Sequence, residues 1–178
     1  MLCGLALAAT PALADSSSSS KAKPSADDQM IINHEHAVNQ MEISLGQLAQ
    51  AKSTNKAIQG FGKDLVTDHK KADSDLSAYA KSHNAVVGKD TPASDGDKQA
   101  AADMAKDVTA LKMMKGDAFD KRFLEMMVTG HEHEISKVDT FMGQATDADL
   151  KTMLTNIKPV MQKHDDTAKS LEAQTPRS

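Results

Sequence analysis

Cysteine, glycine, proline and aromatic residues are scarce in this sequence, and each scarcity limits the kinds of structure or site that the chain can form. Tryptophan is absent, aromatic residues make up 3% of the 178 residues, and the one cysteine is Cys3. An internal disulfide and a thiolate metal site both need more cysteines than this. The core must therefore be built from Leu, Ile, Val, Ala and the 11 methionines. With only 9 glycines and 5 prolines to interrupt them, long helices are favoured.

Other absences narrow the function. The net charge of −4 gives no basic surface for nucleic acid, so no nucleic-acid partner is expected. After the first residues no apolar run is long enough for a transmembrane helix. Nor is there a glycine-rich phosphate loop, a Gly-x-Ser-x-Gly motif or a recognisable general acid or base. The pattern favours a binding or structural role over an enzyme.

The N-terminus has the features of an export signal. Met1 to Ala9 is apolar but too short to span a bilayer, and Ala12-Leu13-Ala14 matches the A-x-A cleavage pattern. We therefore predict a signal peptide over residues 1–14 and an exported protein of the periplasm or cell envelope. A serine-rich tether, residues 15–26, then leads to a helical domain over residues 27–173, followed by a tail over residues 174–178.

Apolar residues recur at three- and four-residue spacing in four long segments and one shorter one, which predicts five amphipathic helices. Ser25 and Asp28 match a capping box at the first helix start. The predicted helices are Asp27–Lys52, Asn55–His83, Lys98–Lys115, Asp117–Met142 and Ala148–Ala173. Short turns join the first two and the last two, which makes each pair an antiparallel hairpin. Two hairpins joined by a long crossover that contains a short helix form an all-α, ferritin-like four-helix bundle.

Each of the four main helices carries a polar, metal-competent group on or beside its apolar stripe. At about 1.5 Å of rise per residue, the three histidines lie roughly 20 to 24 Å from the short turns, near the middle of the bundle. Glu42 and Glu35 bracket that height at roughly 15 and 27 Å. The candidate metal ligands are Glu42, His69, His131 and His164, with Glu35 and His34 as less favoured alternatives.

Burying several unlinked imidazoles or carboxylates is costly, so a shared partner is expected. One candidate is a single transition-metal ion, since three imidazoles and a carboxylate suit zinc, copper, nickel or iron. The alternatives are a metal-free Glu–His network, in a structural or stress-response protein of the cell envelope, and unrelated core histidines. A ferritin-type di-iron site is disfavoured because no Glu-x-x-His motif is present. The residues three before the histidines are Val66, Val128 and Met161.

Four segments carry a family resemblance: Met41–Ala49, Asn55–His69, Phe119–His131 and Pro159–His164. In order and spacing they resemble the domain of unknown function (DUF4142) family of bacterial exported proteins. The resemblance extends from about Asp27 to Leu171. It implies a ferritin-like fold and a location in the cell envelope, and it brings no established activity with it.

Overall fold

The computed structural model describes residues 22–92 and 94–175, and these are all-helical. The helices are α1 (Ala26–Lys52), α2 (Lys56–Ser82), α3 (Asp95–Met113), α4 (Gly116–Gln144) and α5 (Ala148–Gln174). The hairpins α1–α2 and α4–α5 pack against each other, and the short α3 lies in the crossover between them. The predicted ferritin-like bundle is therefore confirmed, and the helix boundaries agree with the prediction to within about three residues.

Some predictions concern residues that the structure does not describe. The predicted signal peptide, residues 1–14, lies outside the described residues, as do most of the tether and residues 176–178 of the tail. Within the described part of the chain, none of the helices combines the length and the apolar character needed to span a bilayer.

Capping side chains mark where α1, α2, α3 and α5 begin. The predicted capping box is present: the Ser25 hydroxyl accepts from Asp28 N at 3.0 Å, and Asp28 bonds back to Ser25. Asp28 also accepts a hydrogen bond from the Thr146 backbone N–H at 2.8 Å. This carboxylate therefore ties the start of α1 to the α4–α5 connection, besides satisfying orphan donors of its own helix.

Two glycines let α1 and α2 approach closely. A Cβ on Gly46 would lie 2.6 Å from the Gly62 carbonyl oxygen, and a Cβ on Gly62 would lie 2.6 Å from the Gly46 carbonyl oxygen. Both distances are far below van der Waals contact, and both partners are backbone atoms that a rotamer change cannot move. The close packing of this hairpin therefore requires glycine at both positions.

We expect Gly62→Ala to destabilise the protein by about 1–3 kcal/mol, the usual cost of forcing extra volume into a packed interface. Gly60→Ala is the matched control, because Gly60 lies on the same helix and a Cβ added there would have nothing within 4 Å. That variant should gain up to about 1 kcal/mol from the better helix propensity of alanine. Urea unfolding monitored by circular dichroism measures both. Equal stability of the two variants would show that the hairpin is not packed this closely.

The core consists of two apolar clusters at opposite ends of the bundle. One includes Leu45 of α1, Leu65 of α2 and Phe123 of α4; the other includes Ile31 of α1 and Leu76 of α2. Along each main helix, the residues between the two clusters include buried polar ones. These are His34, Glu35, Asn39, Glu42, His69, His131, His164 and Asp165. The bundle thus has a polar layer across its middle, where the candidate ligands lie.

Candidate metal centre

Three imidazoles from three helices meet in the polar layer. His69 of α2, His131 of α4 and His164 of α5 have ring centroids 5.3 to 6.1 Å apart. Each ring offers a nitrogen that lies within 4.8 Å of the nitrogens offered by the other two. The side chains are almost fully enclosed, with relative exposures of 5%, 3% and 1%. The structure therefore brings together the three histidines that the sequence places at similar heights.

Hydrogen bonds determine which nitrogen of each ring carries the proton. His131 Nδ1 lies 2.8 Å from the backbone carbonyl oxygen of Met127, one turn earlier on α4. His164 Nε2 lies 3.0 Å from Asp68 Oδ2, across the bundle on α2. A carbonyl or a carboxylate oxygen can only accept, so both of these nitrogens are N–H donors.

His69 follows the same rule with a different partner. Its Nδ1 donates to Asn39 Oδ1 of α1 at 2.9 Å. Helix α1 therefore also takes part in the cluster, because the Asn39 side-chain amide orients the His69 ring. Such outer partners set ring orientation and tautomer at metal sites.

The second nitrogen of each ring has no partner. His69 Nε2, His131 Nε2 and His164 Nδ1 are buried and make no hydrogen bond. In a neutral imidazole whose other nitrogen is a donor, this atom carries a lone pair. Leaving a buried polar atom unsatisfied costs on the order of 1–3 kcal/mol each. Three such atoms on adjoining rings, whose centroids lie 5.3 to 6.1 Å apart, call for a shared electrophile.

The cluster also favours uncharged rings. Burial, together with the neighbouring rings of His164 and His131, lowers the pKa of His69 to about 3. Burial likewise lowers the pKa of His164, although the hydrogen bond to Asp68 opposes it. Neutral imidazole is the form that binds a metal, so these two ligands need no proton removed at neutral pH.

The two acidic candidates of α1 both face the interior. Glu35 and Glu42 are each 4% exposed. Glu42 does not belong to the group of atoms within 4.8 Å of one another. Burial raises its pKa, the interaction with His131 opposes that effect and Glu134 adds to it. Its Oε2 is buried with no hydrogen-bond partner, so Glu42 lies in the field of the cluster without joining it.

The remaining candidate, His34, has both ring nitrogens engaged. Its Nε2 lies 2.9 Å from Glu134 Oε2 and its Nδ1 3.1 Å from Asp90 Oδ2. Burial disfavours its charged form, but Glu134, Glu35 and Asp90 outweigh burial and raise its pKa. Each ring nitrogen of His34 is thus within hydrogen-bond distance of a carboxylate, so neither is left to bind a metal.

A groove between α2 and α5 leads to the cluster. It has a volume of about 500 Å³, and its lining includes His69 and both orienting residues, Asn39 and Asp68. Met153 and Met161 of α5 also line it. The groove gives small solutes access to the polar layer from one side of the bundle.

Comparisons with known proteins agree with this architecture. The profile of the family described as "Domain of unknown function (DUF4142)" matches residues 13–171. A DUF305 fragment from Deinococcus radiodurans has a similar structure, with a TM-score of 0.73 at 11% identity over 85% of this chain and 99% of that one. CopM in the Cu(II)-bound form is also similar, with a TM-score of 0.66 at 15% identity over 83% and 96%.

At these identities the two structural likenesses show the fold alone. No curated protein matches the sequence. The family match, by contrast, extends over most of the chain and includes His69, His131 and His164. The protein therefore belongs to the DUF4142 family.

Proposed function

We propose that the protein binds one transition-metal ion through His69 Nε2, His131 Nε2 and His164 Nδ1. The observation that carries the proposal is the pairing pattern of the three rings. Each donates one N–H to an oxygen and keeps one buried nitrogen without a partner. A metal ion would satisfy all three lone pairs at once, which no single hydrogen-bond donor of the chain does in the described residues.

The spacing of the rings is compatible with a metal after a small adjustment. Metal–nitrogen bonds of about 2.0–2.1 Å at tetrahedral angles place ligand nitrogens about 3.3 Å apart. One nitrogen from each ring lies within 4.8 Å of those from the other two, so an inward movement of at most about 1 Å per ring would reach that spacing. Glu42 or a water molecule would complete the coordination, and the Glu42 carboxylate would then offset part of the metal's charge.

Among divalent first-row ions, Cu²⁺ is expected to bind most tightly to three imidazoles, with Zn²⁺ and Ni²⁺ below it. The structural likeness to CopM in the Cu(II)-bound form makes the same ion the first to test. With three protein ligands and no recognisable general acid or base, the site suits holding or carrying a metal ion. The alternative, a metal-free structural protein, would leave the three nitrogens unsatisfied.

The export predicted from residues 1–14 would place this activity in the periplasm or cell envelope. Support comes from the apolar N-terminal run and the Ala12-Leu13-Ala14 motif. An N-terminus at Asp15, read by mass spectrometry of protein recovered from the cell envelope, would agree with it. A protein that keeps Met1 and stays in the cytoplasm would contradict it.

The test of metal binding is the metal content of the purified protein after incubation with Cu²⁺ and desalting. The parent should retain one equivalent more than a His69→Ala/His131→Ala/His164→Ala variant. A His36→Ala/His133→Ala variant, which removes histidines outside the cluster, should match the parent. Circular dichroism confirms that each variant is folded. Equal copper in the parent and the triple variant would refute the proposal and leave the cluster a metal-free polar network.

A further inference from the structure

A second group of metal-competent side chains lies at one end of the bundle. His83 is the C-cap residue of α2, and its ring faces the start of α5. Its Nε2 lies 3.5 Å from Asp147 Oδ2 and 3.6 Å from Asp149 Oδ2. The histidine is 2% exposed, whereas the Asp149 side chain is 54% exposed. The group is thus closed on the protein side and open to solvent on the other.

The local structure holds these ligands in place. Asp147 is the N-cap of α5, and its Oδ1 accepts from Asp149 N and Leu150 N at 2.9 and 3.0 Å. Its other oxygen, Oδ2, is therefore the one turned toward His83. On the histidine side, Nδ1 lies 2.8 Å from the Tyr79 carbonyl oxygen and so carries a proton.

The orphaned nitrogen is the observation that points to a ligand. With its proton on Nδ1, neutral His83 presents a lone pair at Nε2 to two carboxylates, and this buried atom has no hydrogen-bond partner. In this neutral form, the lone pair and the carboxylate oxygens, 3.5 and 3.6 Å away, would repel each other.

We infer that His83, Asp147 and Asp149 form a second metal site, separate from the histidine cluster, for a divalent ion of the Zn²⁺ class. One imidazole and two carboxylates are an accepted ligand set for this ion, and ligand atoms around it lie about 3.4 Å apart. The distances from His83 Nε2 to Asp147 Oδ2 and Asp149 Oδ2, 3.5 and 3.6 Å, agree with that value. Solvent on the Asp149 side supplies water as the fourth ligand.

The position of the site gives it a structural consequence. His83 ends the first hairpin, while Asp147 and Asp149 lie at the turn of the second. An ion bound here cross-links the two hairpins at the corner where Asp28 already ties α1 to Thr146. Because the ion binds only the folded arrangement, it stabilises the fold by mass action.

The experiment is a calorimetric Zn²⁺ titration of the full chain. We expect two equivalents for the parent and for His36→Gln, and one each for His83→Gln and His131→Gln. If His83→Gln binds as much Zn²⁺ as His36→Gln, the second site is refuted. Loss of an equivalent in His83→Gln but not in His131→Gln would support the second site and refute the histidine cluster, so the two failures are distinguishable.

A second, conservative variant provides a test of the site even if His83→Gln does not fold. Asp149→Asn alters an exposed side chain and should weaken Zn²⁺ binding at this site at least tenfold while the protein stays folded. The midpoint of thermal unfolding should rise with Zn²⁺ in a His131→Gln protein and rise less when Asp149→Asn is added. Unchanged Zn²⁺ affinity and an unchanged thermal shift in the Asp149→Asn protein would overturn the inference.

Discussion

Glutamine in place of His131 should weaken Cu²⁺ binding by more than about 100-fold. Loss of an outer partner alone typically lowers metal affinity 10- to 100-fold, and loss of a direct ligand removes more. Glutamine keeps much of the volume and polarity of the ring. The loss of Cu²⁺ affinity would therefore reflect the missing metal ligand and not a cavity in the core. Competition titration against a chelator of known affinity measures it, with His133→Gln on the same helix as the control. His133 is exposed, so that variant should bind as the parent does.

A substitution of Asp68 tests a residue that orients a metal ligand without binding the metal itself. Its carboxylate accepts the Nε2 proton of His164 and leaves Nδ1 to the metal. Asp68→Asn should therefore weaken Cu²⁺ binding by roughly 10- to 100-fold, less than the loss of His131. If His131→Gln and His133→Gln bind Cu²⁺ with equal affinity, the histidine cluster is not the site.

In the metal-free protein, Glu35→Gln should stabilise the fold at pH 8 and do little at pH 5. Burial raises the pKa of Glu35 to about 7 from 4.5; the charge of His34 opposes the rise and that of Glu134 adds to it. A raised folded-state pKa favours folding below pH 4.5, and this contribution is lost as the pH rises to about 7. Glutamine never ionises, so its advantage over the parent should grow by roughly 2–3 kcal/mol between pH 5 and pH 8.

Urea unfolding in the presence of a chelator, at pH 5, 6, 7 and 8, measures this difference. Glu172→Gln, near the end of α5, is the control for the chemical change itself. His69 acts in the opposite direction. Because the pKa of His69 is lowered in the folded protein, stability is lost as the pH falls below about 6.5. The pH dependence of the parent's stability therefore combines the contributions of Glu35 and His69. If the stability difference between Glu35→Gln and the parent does not change with pH, the pKa of this carboxyl is not raised in the folded protein.

Helix boundaries can be predicted from the sequence because local physics determines them. Apolar periodicity predicts the faces, and the Ser25–Asp28 box and the short turns predict the ends. The fixed rise per residue also places His69, His131 and His164 near one height. Height is a property of a single helix and its turn, and it does not require knowledge of the neighbours.

The rotation of each helix about its axis and the side-chain rotamers are not determined by local sequence. These decide that Asn39 of α1 accepts the hydrogen bond from His69. The helical rise does contain a signal for this contact. Asn39 lies about 14 residues, or roughly 21 Å, from the first turn, the same distance as His69 on the other side. An amide is easily missed here because imidazoles and carboxylates, and not amides, are the usual ligands of transition metals.

The side chains that orient the histidine rings likewise cannot be identified from local sequence. Asp68 and Asp165, each next to a histidine in sequence, are equal candidates for orienting a ring. In the structure Asp68 contacts His164 on another helix, while Asp165 accepts from Lys169 at 2.8 Å. The His83 group could not be predicted for a related reason. Its members on the two hairpins are far apart in sequence, and only the packing of the hairpins brings them together.

The most direct test of the account is a crystal structure of the protein with one equivalent of Cu²⁺, using anomalous scattering at the copper edge. We predict a single strong peak in the polar layer, about 2 Å from His69 Nε2, His131 Nε2 and His164 Nδ1. The refined structure should show Asn39, the Met127 carbonyl and Asp68 still accepting from the opposite ring nitrogens. A copper peak elsewhere, or one bound through the other nitrogens of these rings, would contradict the account.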